Sequence, residues 1–366
     1  MIIKSIEIEN YRNYDKQEIV FDEKTNIIFG DNAQGKTNIL EAVFISGTTK
    51  SHRGSKDGEI VGFGKEEAFI RAFYEKNGVE QKVNMQLRSK KKKSVFVNGQ
   101  PLKRAAELMG LVNIVIFSPE DLGIIKSGPA LRRRFMDMQL CQLDKSYLYD
   151  LTNYNKIVGQ RNKLLKSMGK MKEISDTIDV WDEQLVFYGT KVIKRRKKFI
   201  NDLCPVMKKI NSDISGRDDQ FSVIYDMDCS DEEYGERLKK NKEKDLIYKT
   251  TSVGPHRDDL KFYINDIDIR VFGSQGQQRT AALALKLSEV EFVKMNIGDT
   301  PILLLDDVLS ELDSNRQNFL LSSINDIQTI ITCTGLDDFI KNRFTIDKCF
   351  NVKNGKIEVK DQKGEI

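Results

Sequence analysis

With 366 residues, 39% of them hydrophobic, the chain is long enough for two lobes and is expected to be globular. No run approaches the roughly 18 uncharged apolar residues that cross a bilayer, so no membrane span is expected. A net charge of only +4 does not by itself imply nucleic acid; the clustering of the basic residues matters more. Five cysteines (Cys141, Cys204, Cys229, Cys333 and Cys349) include no CxxC pair and fit free thiols in a reducing compartment. His52 and His256 are the only histidines, which makes zinc an unpromising ligand. The N-terminal MIIKSIEIENYRNY alternates like a strand and lacks the apolar core of a signal peptide, so a cytoplasmic protein is expected.

Along the chain, Ile2, Ile6 and Ile8 predict a first strand, and Ile27-Ile28-Phe29 a second that stops at Gly30. A helix should follow, with Ile39, Leu40, Val43 and Phe44 on one face. Residues 59–100 read as strands (Ala68-Phe69-Ile70, Val83 to Leu87, Ser94 to Val97), with Asn98-Gly99 as a hairpin turn. Val112 to Phe117 is a compact apolar strand ending at Ser118-Pro119. After Pro129 the pattern turns helical. Ile178, Trp181, Leu185, Tyr188, Val192, Phe199, Leu203, Val206 and Ile210 form a heptad-like stripe. It predicts a packed helical lobe rather than a protruding coiled coil, with Pro205 expected to kink or end the helix. Residues 211–245 look like an acidic, polar connection. Strand texture resumes at Leu260, at Ile302 to Leu305 and at Gln328 to Thr332. The two ends therefore predict one α/β domain, residues 1–120 and 246–366, with a helical lobe, 121–245, inserted.

The loop Gly30-Asp31-Asn32-Ala33-Gln34-Gly35-Lys36-Thr37 fits GxxxxGK[ST]. Glycines at these positions let several backbone N–H groups point at one phosphate, and the following helix N-terminus adds partial positive charge. Lys36 suits the β- and γ-phosphates of ATP, and the Thr37 hydroxyl suits Mg²⁺. The strand before and the helix after argue against a mere glycine turn. A second apolar run, Ile302 to Leu305, ends in Asp306-Asp307. Asp306 is the candidate for holding Mg²⁺, and Asp307 for orienting or deprotonating an attacking water; the bland alternative is an acidic turn. Lys36, Asp306 and Asp307 form the candidate catalytic set. Ser274-Gln275-Gly276-Gln277-Gln278-Arg279 precedes a run of good helix formers. Ser274, Gly276 and Gln277 resemble the signature motif of ABC-type ATPases, and Ser310-Glu311-Leu312-Asp313 resembles their D-loop.

Taken with Asn10 to Tyr14, GDNAQGKTNILE at 30–41, Ser51-His52-Arg53, Phe117 to Leu122, Gly128-Pro129 with Arg132-Arg133, Gln160-Arg161-Asn162, Gly254-Pro255-His256-Arg257-Asp258-Asp259 and SQGQQRT at 274–280, the sequence resembles the RecF family. That family belongs to the SMC-like branch of ABC ATPases, and the resemblance extends to about Asp338. It implies an ABC-type P-loop ATPase head of two subdomains with an inserted helical lobe and no long coiled coil. It also implies slow ATP hydrolysis coupled to DNA binding, in gap repair, replication-fork recovery and the SOS response, with RecR and RecO helping to load RecA.

Three departures from general ABC chemistry stand out. Asp307 replaces the usual glutamate, which should place water less well. Thr332-Cys333-Thr334 occupies the place of the switch histidine, and no Q-loop glutamine is evident, although Glu120 or Asp121 could take its place. Lys36 and a second copy's Ser274 would sandwich ATP, so an ATP-dependent homodimer is expected. DNA-contact candidates are Lys90, Lys91, Lys92 and Lys93 with Arg88; Arg132, Arg133 and Arg134; and Lys194 to Lys198. The arginine run could instead brace the lobe junction. His256 is expected in buried or interfacial hydrogen bonds; His52-Arg53 could contact nucleotide, a second subunit, or serve structure. The rival readings are a chromosome-structural SMC-like ATPase without a coiled coil and a transporter ATPase subunit. A chromosome-structural protein of the usual SMC kind would need far more heptad residues than this chain has, and a transporter subunit usually a switch histidine.

Overall fold

In the computed structural model, which describes residues 1–167, 171–216, 219–336 and 345–360, the apolar runs ending near Gly30, Ser118, Asp306 and Thr332 lie side by side. Asp338, where the sequence resemblance runs out, lies outside the described residues. The strand order is Lys356–Lys360, Lys348–Lys353, Thr25–Phe29, Thr329–Cys333, Ile302–Asp306, Ile114–Phe117. All neighbours are parallel except the antiparallel edge strand Lys356–Lys360. Ile302–Asp306, Thr329–Cys333 and Ile114–Phe117 are buried at every residue, as near-continuous apolar strands covered on both faces should be.

A six-stranded antiparallel sheet, Tyr14–Val20, Ile2–Tyr11, Glu67–Lys76, Val79–Arg88, Ser94–Val97 and Gln100–Pro101, packs on the other side of the helix Lys36–Thr48. The alternation in Glu67–Lys76 buries Ala68, Ile70, Ala72 and Tyr74. The hairpin at Asn98-Gly99 has positive φ at both residues, as a type I′ turn demands. The helix Lys36–Thr48 is not buried on one face only. Glu41, Ala42, Ile45, Ser46 and Thr48 are enclosed along with Ile39, Leu40, Val43 and Phe44, because sheets cover it from both sides.

Met1–Leu122 with Ala282–Ile366 form one compact unit and Gly123–Ala281 the other. In the second unit the helices Pro129–Leu143, Lys145–Lys166 and Met171–Ser215 accompany a three-stranded sheet, Ile267–Asp268, Asp259–Ile264 and Phe221–Asp226. The stripe of Ile178, Leu185, Val192, Phe199 and Leu203 is buried. The long helix packs on Lys145–Lys166, Phe221–Asp226 and Tyr234–Lys240, as a lobe rather than a coiled coil. Pro205 does not end it: the helix runs 45 residues through the proline, a length of about 67 Å at the usual rise. The ring lies on the exposed side, where water can satisfy the freed carbonyl. Residues 211–245 are more than a connection. Phe221, Val223 and Tyr225 alternate inward on a strand, and Tyr234–Lys240 is helical.

Two segments that carry the family resemblance form a polar core in this unit. Arg161 is fully buried and donates to Asp182 at 2.6 Å and Asp245 at 2.6 Å, while Asn162 Oδ1 accepts from Thr251 N at 2.7 Å. Arg196 donates to Asp137 at 2.7 Å, Pro255 O at 2.6 Å and Asp258 at 3.1 Å. His256 bonds the Tyr154 hydroxyl at 2.6 Å through Nδ1 and Thr251 O at 3.0 Å through Nε2. Its burial lowers its pKa. Among the described residues no cluster of three or more His, Cys, Asp or Glu could hold a metal, and no helix is long and apolar enough to cross a membrane.

Candidate nucleotide site

The site follows from strand order. Thr25–Phe29, Thr329–Cys333 and Ile302–Asp306 are adjacent and parallel, so the loop 30–37, Thr332 and Asp306 emerge at the same carboxyl edge of the sheet. This is where open α/β sheets hold ligands. The loop keeps its shape through positive φ at Gly30 (145°), Ala33 (63°) and Gly35 (115°). A Cβ on Gly30 would lie 2.4 Å from Val352 O, and one on Gly35 2.7 Å from both Asn13 Nδ2 and Tyr14 Oη. Asn13 Nδ2 donates to Gln34 O at 3.0 Å, Asn38 Nδ2 donates to Asn13 Oδ1 at 2.8 Å, and Asn354 N donates to Gln34 Oε1 at 2.6 Å. The loop is thus held from outside by the Asn10–Tyr14 turn.

The cavity measures about 270 Å³ and is lined by Asn32, Ala33, Gly35, Lys36, Thr37, Asn38, Arg53, Asp307 and Thr332. Lys36 is buried, and its ammonium donates to Gly30 O at 2.6 Å and Asp31 O at 2.8 Å. Thr37 Oγ1 donates to Asp306 Oδ1 at 2.9 Å, and Thr332 Oγ1 to the same oxygen at 2.7 Å. A hydroxyl and a carboxylate that converge in this way fit Mg²⁺, which takes one or two protein oxygens and completes its shell with water and phosphate. Thr332 was noted in the sequence only as the absence of a histidine. It in fact links the two aspartates: its Oγ1 also accepts from Asp307 N at 3.0 Å. Asp307 has φ 52°, a left-handed conformation. Burial and the neighbouring Asp306 raise its pKa against the pull of Lys36. His52 Nε2 lies 4.0 Å from Asp306 Oδ2.

Behind the site lies Glu41, fully buried. It accepts from Tyr11 Oη at 3.1 Å, from Arg12 Nε and Nη2 at 2.8 Å each, and from Ser51 Oγ at 2.5 Å. Burial acts to raise the Glu41 pKa; Arg12, Ser51 and His52 outweigh it and hold the carboxyl below its ordinary value. Sequence reading had no means to assign Glu41 a role, because its partners come from two other segments, at 11–12 and 51–52. Asp121 is engaged locally, accepting from Ser118 N at 2.9 Å and Ser118 Oγ at 3.1 Å.

Ser274, Gly276 and Gln277 belong to the other compact unit. Ser274 and Gln277 cap the helix Gln275–Ile297 reciprocally: Gln277 N donates to Ser274 Oγ at 3.2 Å and Ser274 N to Gln277 Oε1 at 2.9 Å.

The basic clusters fare unequally. Lys90, Lys91 and Lys92 are exposed between two strands, whereas Lys93 is tied to Thr49 O at 2.5 Å and Asp57 at 2.8 Å. Arg132 must be removed from the DNA-contact set. It is 1% exposed, and its guanidinium is taken up by Asp259 at 2.6 Å and 2.9 Å and by the carbonyls of Ile124 and Ser127. Arg133 is half-buried and donates to Asp258 O at 2.7 Å; Arg134 is exposed. In the run 194–198, Arg195 and Arg196 turn inward to aspartates, and Lys197 and Lys198 remain on the surface.

The family model for the RecF/RecN/SMC N terminal domain matches residues 2–358. A DNA replication and repair protein RecF from Agathobacter rectalis is 57% identical over 99% of this chain and 100% of its own. Another from Lachnospira eligens is 55% identical over 98% and 99%. Among solved structures, the recombination mediator protein RecF-ATPrS of the RecFOR pathway superposes with a TM-score of 0.91 at 39% identity, covering 98% of both chains. A Smc head bound to the C-winged helix domain of ScpA shares the fold at TM-score 0.58 and 16% identity. A P-loop, an acidic strand tip and a capped SQGQQ helix, joined by full-length likeness of this degree, leave one assignment: the chain belongs to the RecF family.

Proposed function

We propose that this chain is an ATP-dependent DNA-binding switch of recombinational gap repair and replication-fork recovery, acting in the cytoplasm with RecR and RecO to help load RecA. The observation that carries the proposal is the convergence of Lys36, Thr37, Asp306 and Asp307 at one cavity, in a chain whose relatives are named for DNA replication and repair. Gly30 to Thr37 would cradle the ATP phosphates, Lys36 leaving its carbonyl partners for the β- and γ-phosphates. Thr37 and Asp306 would hold Mg²⁺, which neutralises charge developing on the phosphoryl group. Asp307 would orient or deprotonate water. Its side chain is one methylene shorter than the usual glutamate and would place water less well, which favours slow turnover.

Residues 1–120 and 246–366 are read as the ATPase head and 121–245 as the inserted lobe. Residues 246–281 fall in the compact unit 123–281 and are read with the head only because they include Ser274, Gly276 and Gln277. Ser274, Gly276 and Gln277 of a second copy would complete the γ-phosphate site, making dimerisation depend on ATP. Lys90, Lys91, Lys92, Arg133 and Arg134 remain the candidate phosphate contacts with DNA, and turnover is expected to rise when DNA is bound. Sedimentation velocity with Mg²⁺ and either ATP or ADP tests the sandwich. The parent should dimerise with ATP alone and Ser274→Arg should stay monomeric; a variant that dimerises like the parent overturns it.

A further inference from the structure

The second unit carries a basic and aromatic surface that the P-loop chemistry does not use. It is formed by the helices Tyr234–Lys240 and Lys242–Tyr248. Lys239, Lys240, Lys244 and Lys249 are exposed there, beside Ile247 at 74% and Tyr248 at 69% exposure. Lys244, Ile247 and Tyr248 follow i, i+3, i+4 spacing and share one face of their helix. Lys239 and Lys240 end the preceding helix, and Lys249 caps the second in the left-handed conformation. Two large apolar side chains among lysines are not explained by packing, because the buried face of this helix is already occupied. Leu246 packs on Leu165 and Ile178.

Nor is their exposure rotational slack. Asp245 is fully buried, accepts from Arg161 at 2.6 Å and from Ser252 N at 3.0 Å, and so fixes which side of the helix faces out. Acidic groups are interspersed: Glu236 pairs with Lys240 and Asp179 with Lys242, and Glu232, Glu233 and Glu243 are exposed, so Lys239, Lys244 and Lys249 are the lysines placed to meet phosphates.

We propose that this surface binds nucleic acid with unpaired bases, Lys239, Lys244 and Lys249 neutralising phosphates and Tyr248 stacking on an unstacked base. Lysine charge complements a polyanion, and an exposed, rotationally fixed aromatic beside it is the pairing that single strands require. A uniform duplex offers phosphates to the lysines but no open base face to Tyr248. The site thereby favours a strand gap or end over duplex interior. The inference rests on the DNA-binding reading above and names the part of the chain that would distinguish gapped from continuous DNA.

The test is fluorescence anisotropy of full-length protein with ATP and Mg²⁺, on a gapped duplex and a continuous duplex of equal length, across a salt series. The proteins are the parent, Tyr248→Ala, Tyr248→Phe and the triple variant Lys239→Gln/Lys244→Gln/Lys249→Gln, with folding checked by thermal melting. Tyr248→Ala should weaken gapped DNA about tenfold and leave continuous duplex unchanged. Tyr248→Phe should behave like the parent. The triple variant should weaken both DNAs and reduce the log–log salt slope by about 2. Parent-like binding and slope in both the alanine and the triple variant, or equal loss on the two DNAs for Tyr248→Ala, overturns the assignment while the DNA-binding reading stands. A parent that binds neither DNA at any salt overturns both.

Discussion

The Arg12–Glu41 pair gives the sharpest test of how the nucleotide loop is held. Glu41 is fully enclosed, whereas the Arg12 side chain is 19% exposed. Arg12→Ala deletes two charge-assisted hydrogen bonds to Glu41 and leaves that carboxylate with Tyr11 and Ser51 alone. Breaking a fully buried pair costs about 3–5 kcal/mol; the partial exposure of Arg12 lowers the expectation to about 2–3 kcal/mol. Glu41→Gln keeps the shape, loses the charge and should cost about 2 kcal/mol. In the double variant the losses should not add, leaving a coupling of about 1–2 kcal/mol. Urea unfolding of the four proteins measures it. The folded-state pKa of Glu41 is depressed, so the stability it contributes is present above its unfolded pKa of about 4.3 and is lost as pH falls below that. The coupling should hold from pH 7 down to about pH 5 and shrink as the pH falls below about 4.3. A coupling under about 0.5 kcal/mol at pH 7, or one independent of pH, would refute the argument.

Four further outcomes follow from the same geometry. Gly35→Ala places a Cβ against Asn13 and Tyr14 at positive φ; binding of a fluorescent ATP analogue should weaken at least tenfold, and parent-like affinity would show the cradle to be more pliant than described. Pro205→Ala restores a backbone donor inside the long helix and should raise stability by about 1–3 kcal/mol in urea; destabilisation would mean that neighbouring packing depends on the ring. His256 is buried with its pKa lowered. It therefore contributes stability present above its unfolded pKa of about 6.5 and lost as pH falls below that, and His256→Gln should flatten the melting temperature between pH 7 and pH 5. Arg196→Ala strips Asp137 and Asp258 of their buried partner and should cost about 3–5 kcal/mol by chemical denaturation; a loss under 1 kcal/mol would contradict the polar-core account.

The sequence alone determined those features whose physics is local. GxxxxGK[ST] between an apolar strand and a helix specifies a phosphate cradle, because glycine conformation and the helix start are properties of consecutive residues. The buried strands at Ile114, Ile302 and Thr329 were legible as apolar runs, and the hairpin at Asn98-Gly99 as a dipeptide with only one comfortable turn. Charge runs were misleading for the opposite reason. Lys90 to Lys92 and Arg132 look alike in a string, yet one group is solvated and the other is enclosed by Asp259 and three carbonyls. Burial is set by segments more than a hundred residues away.

Glu41 depends on tertiary structure at shorter range: its partners Tyr11, Arg12 and Ser51 meet it only after an antiparallel sheet folds over its helix. So does Thr332, whose value lies in standing between Asp306 and Asp307. Only the strand order of the parallel sheet brings residues 30–37, 306 and 332 to one edge. The lysines and Tyr248 of residues 239–249 gain meaning in the same way, since Asp245 and Arg161 decide which side of that helix meets the solvent.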